Sequence, residues 1–114
     1  MVRAIFLLTL TATFLAPPVP ARAAFLTGAE LLGACTDQDP NGYGQIYCLA
    51  YVTGIADVLE QNAVNGLRAC IPEEATVATL AGIVRESLAR HPERGGYGAA
   101  GLVADALGST FPCR

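Results

Sequence analysis

The fold is decided by the stretch QIYCLAYVTGIADVLEQN, residues 45–62, which carries the longest helical pattern in the chain. Its apolar residues recur at steps of three and four, which places them on one stripe of a helix. They are Cys48, Tyr51, Val52, Ile55, Val58 and Leu59. The pattern predicts an amphipathic helix that packs this stripe on a core and carries a cysteine near its start.

A shorter helix is predicted before it, beginning at Thr27-Gly28-Ala29-Glu30. A threonine followed three residues later by a glutamate is a capping box, in which the two side chains accept hydrogen bonds from backbone N–H groups that have no partner within the helix. We expect this helix to run to about Cys35. Residues 37–44 are rich in Asp, Pro, Asn and Gly and are predicted to form a loop.

Two more helices are predicted in the second half of the chain. Asn65-Gly66 marks the exit from the long helix, Thr76 caps the third helix, and Pro92 ends it near Arg90. The fourth helix covers residues 99–107. Since no segment shows sustained strand alternation, the chain is predicted to be an all-α, small four-helix bundle.

Glycines interrupt every helical pattern, and each costs about 1 kcal/mol relative to alanine in a helix interior. They are Gly33, Gly54, Gly82 and Gly101. Close approach of neighbouring helix backbones would offset this cost, so we expect tight helix contacts at these positions. Weak selection on a glycine-rich chain is the alternative.

The first 23 residues are typical of a cleaved signal peptide. Arg3 supplies a positive charge, residues 5–15 an apolar core, and Ala21-Arg22-Ala23 a small-x-small cleavage site. The apolar run is too short for the ~20 residues of a membrane-spanning helix. We therefore predict a mature domain at residues 24–114.

Four cysteines lie within that mature domain: Cys35, Cys48, Cys70 and Cys113. An even number in a small exported chain indicates two disulfides and an oxidising compartment, for which we expect the bacterial periplasm. The helix order places the first two cysteines at one end of an up-and-down bundle and the last two at the other. It therefore predicts the pairs Cys35–Cys48 and Cys70–Cys113.

The charge of the mature domain argues against two classes of partner. Five arginines and ten carboxylates remain after residue 23, which gives a net charge of −5, and no basic cluster is present. Nucleic acids and anionic membranes need Lys/Arg patches to displace counterions. A protein partner, and weakly a basic one, fits this surface better.

Candidate chemistry for an enzyme is sparse. His91 is the only histidine, and a nucleophilic site would have to combine it with Ser87, Ser109 or a disulfide cysteine. A zinc site would need cysteine thiolates, and the sequence has no Cys-x-x-Cys pair of the kind that commonly supplies them. We therefore predict no catalytic and no metal-binding residues.

Two other motifs have structural interpretations that are simpler than a functional one. Residues 96–101 match the glycine spacing of dinucleotide-binding loops, but no strand is predicted before them, so a helix connection is favoured and no cofactor is expected. Asp57 and Glu60 could be paired carboxylates for acid–base chemistry. A solvated face, or a buried Asp57 held by a backbone donor, is the better interpretation.

A binding surface is predicted between the third and fourth helices. This connection carries His91, Glu93, Arg94 and Tyr97 among glycines that soften it. An imidazole, both charges and an aromatic ring are residue types that anchor protein interfaces. An ordinary exposed loop is the alternative.

A set of short motifs occurs in a characteristic order along the chain: Leu26-Thr27-Gly28-x-Glu30-Leu31, Cys35, Cys48-x-x-Tyr51-x-x-Gly54-x-x-Asp57, Cys70-x-Pro72, His91-Pro92 and Phe111-Pro112-Cys113. This order resembles the Rap/Tai family of small periplasmic immunity proteins. Thr79 stands where many relatives have a glutamine. Members of this family protect bacteria against peptidoglycan amidase toxins delivered by type VI secretion.

The resemblance implies a helical, disulfide-bonded inhibitor that often forms a homodimer and occludes the active site of a cell-wall amidase. Tyr51, Gly54 and Asp57 are then expected to be scaffold positions: a packing aromatic, a close helix contact and a polar group with a buried partner. No toxin-contacting residue follows from the resemblance. An acid-stress chaperone, or a member of the fold without a toxin, is the alternative function.

Overall fold

The computed structural model describes residues 15–16 and 25–114. All but residues 15 and 16 of the predicted signal peptide therefore lie outside the described part. Within residues 25–114 the regular structure is helical, apart from two isolated β-bridges. The helices are α1 (Gly28–Thr36), α2 (Gly44–Leu59), α3 (Val77–Arg90) and α4 (Ala99–Thr110), with one 3-10 turn at Pro92–Arg94. The predicted all-α fold with four helices is confirmed.

The helix starts that local chemistry predicts are confirmed. The Thr27 hydroxyl accepts from the Glu30 N–H at 3.3 Å, and the Glu30 carboxylate accepts from the Thr27 N–H at 2.8 Å, which completes the capping box. The Thr76 hydroxyl caps α3 by accepting from the Thr79 N–H at 3.2 Å. These contacts join residues three apart in the sequence, so the sequence alone suffices to predict them.

Two helix ends differ from the sequence prediction. α2 ends at Leu59, three residues early, where the Gln61 and Asn62 N–H groups both bond the Val58 carbonyl. α4 continues three residues further than predicted, to Thr110, and the Thr110 hydroxyl bonds the Ala106 carbonyl. The extended end of α4 lies beside the chain between α2 and α3, where the Cys70 N–H bonds the Phe111 carbonyl.

That connecting segment, residues 60–76, runs the length of α4 without forming a helix. Its turn is formed by Asn65 and Gly66, both at positive φ (51° and 76°), between Val64 and Leu67, which exchange two backbone hydrogen bonds of 2.9 Å. The Asn65 amide lies against the start of α4, and the Cys70 N–H bonds the Phe111 carbonyl at its end, at 2.8 Å. The segment therefore returns the chain to the end of the molecule where α2 began.

Because of this return, α3 and α4 run in the opposite directions to those predicted for an up-and-down bundle. Both predicted disulfides are present, Cys35–Cys48 and Cys70–Cys113, each with Cα atoms 5.0 Å apart. The expectation that they lie at opposite ends is wrong, because the first half of α3 lies beside the Cys35–Cys48 bridge and α4 ends next to Cys70. The pairing prediction was thus confirmed although its premise was an up-and-down path that the chain does not follow.

The core is formed by one apolar cluster from all four helices. Its fully buried large side chains are Leu31, Val52, Leu59, Val84, Val103 and Leu107, together with Cys35 and Cys48. Among the described residues, no polar or charged side chain is buried. Stability therefore comes from apolar burial and the two covalent links rather than from interior ion pairs.

Three of the four expected glycine contacts are wrong. A Cβ added at Gly33, Gly54 or Gly82 would meet nothing within 4 Å, so none of these glycines marks a close helix contact. Close approach occurs instead at Gly108, where an added Cβ would lie 2.6 Å from the Arg68 carbonyl oxygen. The fourth expected glycine, Gly101, does meet a neighbour, but it is the Asn65 side chain.

Asp57 is exposed on α2, which agrees with a solvated face and not with the buried partner that the resemblance implies. Tyr51 packs partly buried against the core, with its phenol near the Ala100 backbone in the first turn of α4. Burial, and secondarily the Tyr47 phenol, raise the pKa of Tyr51, and the polar Ala100 backbone opposes them.

Candidate partner-binding surface

The connection between α3 and α4 is a compact series of turns. Pro92 ends α3, and three backbone hydrogen bonds of 3.0 Å follow: from the Arg94 N–H to the His91 carbonyl, from Gly95 to Pro92, and from Tyr97 to Arg94. We call residues His91–Tyr97 the α3–α4 loop. Its backbone groups largely bond one another, which fixes the order in which its side chains project.

The α3–α4 loop is also bound to the start of α1. The N–H groups of Gly28 and Ala29 donate to the carbonyls of Tyr97 and Gly95, both at 2.9 Å. First-turn N–H groups have no partner within their own helix, so the loop satisfies donors that α1 leaves open. The connection is therefore held more firmly than its glycines suggest.

The four side chains predicted to bind a partner lie at this end of the molecule, but they are not equivalent. His91 Nδ1 and Glu93 Oε1 are 3.1 Å apart, with side chains 51% and 65% exposed. The Glu93 backbone N–H, followed by the hydrogen bond from His91, lowers the pKa of the Glu93 carboxyl. The Tyr97 ring is 63% exposed. Arg94 instead turns toward α4 and donates to Asp105 at 2.8 Å, which leaves the other three facing outward.

An open groove of about 330 Å³ lies beside the loop, between α1 and the end of α3. Small residues form half of its lining: Gly28, Ala29, Gly33 and Gly95, with Leu32, Thr36, Leu88 and Pro92. This lining offers apolar contact and no charge. The groove can receive an apolar side chain from a partner that contacts the loop.

The residues considered for an enzymatic site are not arranged around a substrate-sized cavity. Ser87 and His91 border a cavity of about 10 Å³, which is the size of a single water site. Ser109 lies near the far end of α4, away from His91. In the described ranges no group of three or more His, Cys, Asp or Glu residues is placed to bind a metal ion. Residues 96–101 follow a 3-10 turn and enter α4, without the strand that a dinucleotide site requires.

A second exposed surface was missed by the sequence analysis. On α2, Tyr43, Ile46 and Tyr47 are 82%, 65% and 49% exposed, and Ala50 and Gly54 lie exposed on the same side. We call these five residues the α2 outer face. The signal was present in the sequence, because residues 43–56 contain no charged side chain at all, so the outward side of the predicted helix is as uncharged as its inward stripe.

No helix in the described part of the chain is both long enough and apolar enough to cross a membrane. Neither a curated protein nor a solved structure matches this chain. A family model described as Rap1a immunity proteins matches residues 27–113. The match begins at the α1 capping residue and includes the four helices, both disulfides and the α3–α4 loop. The chain therefore belongs to the family of Rap1a immunity proteins.

Proposed function

We propose that this protein is a periplasmic immunity protein that binds a peptidoglycan amidase toxin delivered by type VI secretion and occludes its active site. Family membership implies a protein toxin as partner and a non-catalytic role. The observation that carries the finer proposal is the exposed α3–α4 loop held at the start of α1. Inhibition then needs only that the loop fill the toxin's substrate cleft.

The α3–α4 loop is suited to binding because its backbone is already fixed before a partner arrives. Its backbone is hydrogen-bonded within itself and to α1, so a partner would not have to bear the entropy of ordering it. Tyr97 and His91 supply the aromatic and polar contacts that anchor interfaces. The groove beside the loop adds an apolar contact, and the acidic balance of the domain favours association with a basic cleft.

Export to the periplasm is part of the proposal. Two disulfides form and persist in an oxidising compartment, and the N-terminal sequence has the features of a signal peptide. Edman sequencing of the protein recovered from periplasm should begin at Ala24. A product that starts at Met1 would contradict export by this signal.

The inhibitory role is tested by amidase activity on peptidoglycan fragments, using the amidase recovered with the tagged protein from a periplasmic extract. The wild-type protein should inhibit stoichiometrically. Y97A combined with H91A should weaken inhibition by at least about tenfold, as expected for interface anchors. Y43A is the matched control, since it also removes an exposed tyrosine ring but near the other end of the molecule. Equal inhibition by all three proteins would rule out the loop as the inhibitory element.

Recovery of no amidase and no protection in a toxicity assay would favour the two alternatives, a fold member without a toxin or an acid-stress chaperone. The chaperone alternative requires that the fold open when carboxylates are protonated. The homodimer implied by the resemblance stays a prediction, which sedimentation equilibrium of the purified protein tests directly.

A further inference from the structure

We infer that the α2 outer face docks a protein surface whose apolar side chains are bordered by lysine or arginine. This surface is separate from the α3–α4 loop, and the inference does not depend on the amidase. It rests on three features of α2: the exposure of large apolar side chains, the flat centre between them, and the charge at the two ends of the helix.

The α2 outer face is apolar where a surface helix would ordinarily be polar. Tyr43, Ile46 and Tyr47 expose more than 45% of their area within one helical turn. By contrast, α3 turns charged residues outward, and its Glu86 and Arg90 approach within 3.7 Å as an exposed ion pair. A helix that is apolar all round is normally covered on both faces. Contiguous exposed apolar side chains of this kind mark interaction sites, whereas single ones do not.

The centre of the face allows a close approach. Ala50 and Gly54 follow the tyrosines at the same helical phase, and a Cβ added at Gly54 would meet nothing within 4 Å. The helix backbone is therefore accessible at this point. The Tyr47 ring stacks on Tyr51, with centroids 6.4 Å apart, so one wall of the surface is supported by a side chain that packs on the core.

Charge at the two ends of α2 identifies the kind of partner. Residues 37–67 contain four carboxylates and no lysine, arginine or histidine. Asp37 lies against Gly44 at the start of the helix, with Asp39 beside Gly42, while Asp57 and Glu60 lie at its end. The C-terminal end of a helix is its negative pole and favours cations, but α2 has no basic residue in its last turn.

None of the ion pairs within the described ranges uses a carboxylate of residues 37–67. Basic side chains from a partner would therefore interact favourably with carboxylates at both ends of the face. Residues 37–67 of a second copy would bring four more carboxylates and no cation of their own to the same contact. Nucleic acids and anionic membranes would be repelled for the same reason. Charge complementarity thus selects a basic-rimmed protein surface.

The test uses a defined probe rather than an unknown partner. A labelled synthetic helical peptide with a leucine stripe flanked by lysines is titrated with the full mature protein, and its fluorescence anisotropy is measured. The comparison peptide carries glutamates in place of the lysines. We expect saturable binding of the lysine peptide only, weakening as salt is raised, because the rim contacts are exposed charges.

Three variants assign the binding to the face. Y43S and I46S should each weaken binding of the lysine peptide by at least about tenfold. Y97S is the matched control, since it removes an equally large exposed ring from the α3–α4 loop, and it should bind as the wild type does. All three positions are exposed, so unchanged far-ultraviolet circular dichroism is expected and separates lost contact from lost fold.

Three results would overturn the inference. Binding of both peptides alike, or binding that Y43S and I46S leave unchanged, would show that the face does not select a basic-rimmed surface. A dimer in sedimentation equilibrium that I46S dissociates would assign the face to a second copy. A dimer that I46S leaves intact would use another surface. The peptide titration would then still decide whether the α2 outer face binds a basic-rimmed surface.

Discussion

The two disulfides have the same Cα–Cα separation of 5.0 Å but opposite surroundings. Cys35 and Cys48 are 2% and 1% exposed and belong to the apolar core. Cys70 and Cys113 are exposed, and they join the irregular segment 60–76 to the end of the chain. One bridge is a part of the packed core, whereas the other holds a segment whose apolar side chains are mostly only partly buried.

The difference indicates two physical roles for the same bond. Segment 60–76 contributes Ala69 to the buried core, while Val64, Leu67, Ile71 and Ala75 pack against it only partly buried. A covalent link stabilises such a segment by restricting the unfolded chain. Between α1 and α2 the helices already contact one another, and the sulfur atoms fill core volume as apolar side chains do.

The largest effect is expected from replacing the buried pair with serines. C35S/C48S should lose about 3 kcal/mol from loop closure, as should C35A/C48A, and about 1–3 kcal/mol more for each buried hydroxyl without a partner. Chemical denaturation of both variants measures the difference. At the exposed pair, C70S/C113S and C70A/C113A should differ by less than about 0.5 kcal/mol. An equal serine penalty at both bridges would contradict the distinction.

Selective reduction gives the next largest effect. Dithiothreitol in native buffer should reduce Cys70–Cys113 first, because thiolate attack requires access to sulfur. Alkylation followed by mass spectrometry identifies the opened bridge. The singly reduced protein should lose about 4 kcal/mol, the loop-closure value for a separation of 43 residues. Simultaneous alkylation of all four cysteines would indicate that opening the exposed bridge already unfolds the core.

A noncovalent tie between a loop and α4 should be worth less than the covalent one. Arg94 donates to Asp105 at 2.8 Å, and both side chains are about one-third exposed. D105N should cost about 1 kcal/mol, and the cost should shrink at high salt, because partly exposed ion pairs are screened. Denaturation at two salt concentrations measures it. A loss as large as that of the exposed disulfide would contradict this ranking.

The smallest effect is expected at Tyr51. Y51F should cost about 0.5 kcal/mol at neutral pH, because it removes a partly buried hydroxyl that lies near the polar Ala100 backbone. Burial raises the pKa of Tyr51 above its usual value near 10, so the folded state favours the neutral phenol. The stability that this shift represents is complete below pH 10 and is lost as the pH rises through the folded pKa. The wild type should therefore lose more stability than Y51F on moving from pH 9 to pH 11, and equal losses would contradict the shift.

The sequence was sufficient where a contact is local. The Thr27–Glu30 box, the Thr76 cap and the stop at Pro92 involve neighbouring residues, and each was predicted correctly. The return along α4 could not be predicted, because it depends on distant contacts such as the Arg68 carbonyl against Gly108. For the same reason Gly54, which suggested a helix contact, instead lies open on the surface.

The candidate site was predictable in composition but not in arrangement. The residues between α3 and α4 were identified by their chemistry, and the structure places them at one end of the molecule. The pairing of Arg94 with Asp105 joins residues eleven apart on separate elements and has no signature in spacing. The α2 outer face could have been found by asking which residues of 43–56 carry charge, since none does.

The hydrogen bonds from Gly28 and Ala29 to the α3–α4 loop have a consequence for biosynthesis. A nine-residue helix is marginal in water by itself, and α1 obtains partners for its first N–H groups from residues about 65–70 positions later in the chain. Of the four described helices, the first to leave the ribosome is thus among the last to be completed. During synthesis, α1 lacks partners for these two N–H groups until residues 95–97 have been added to the chain.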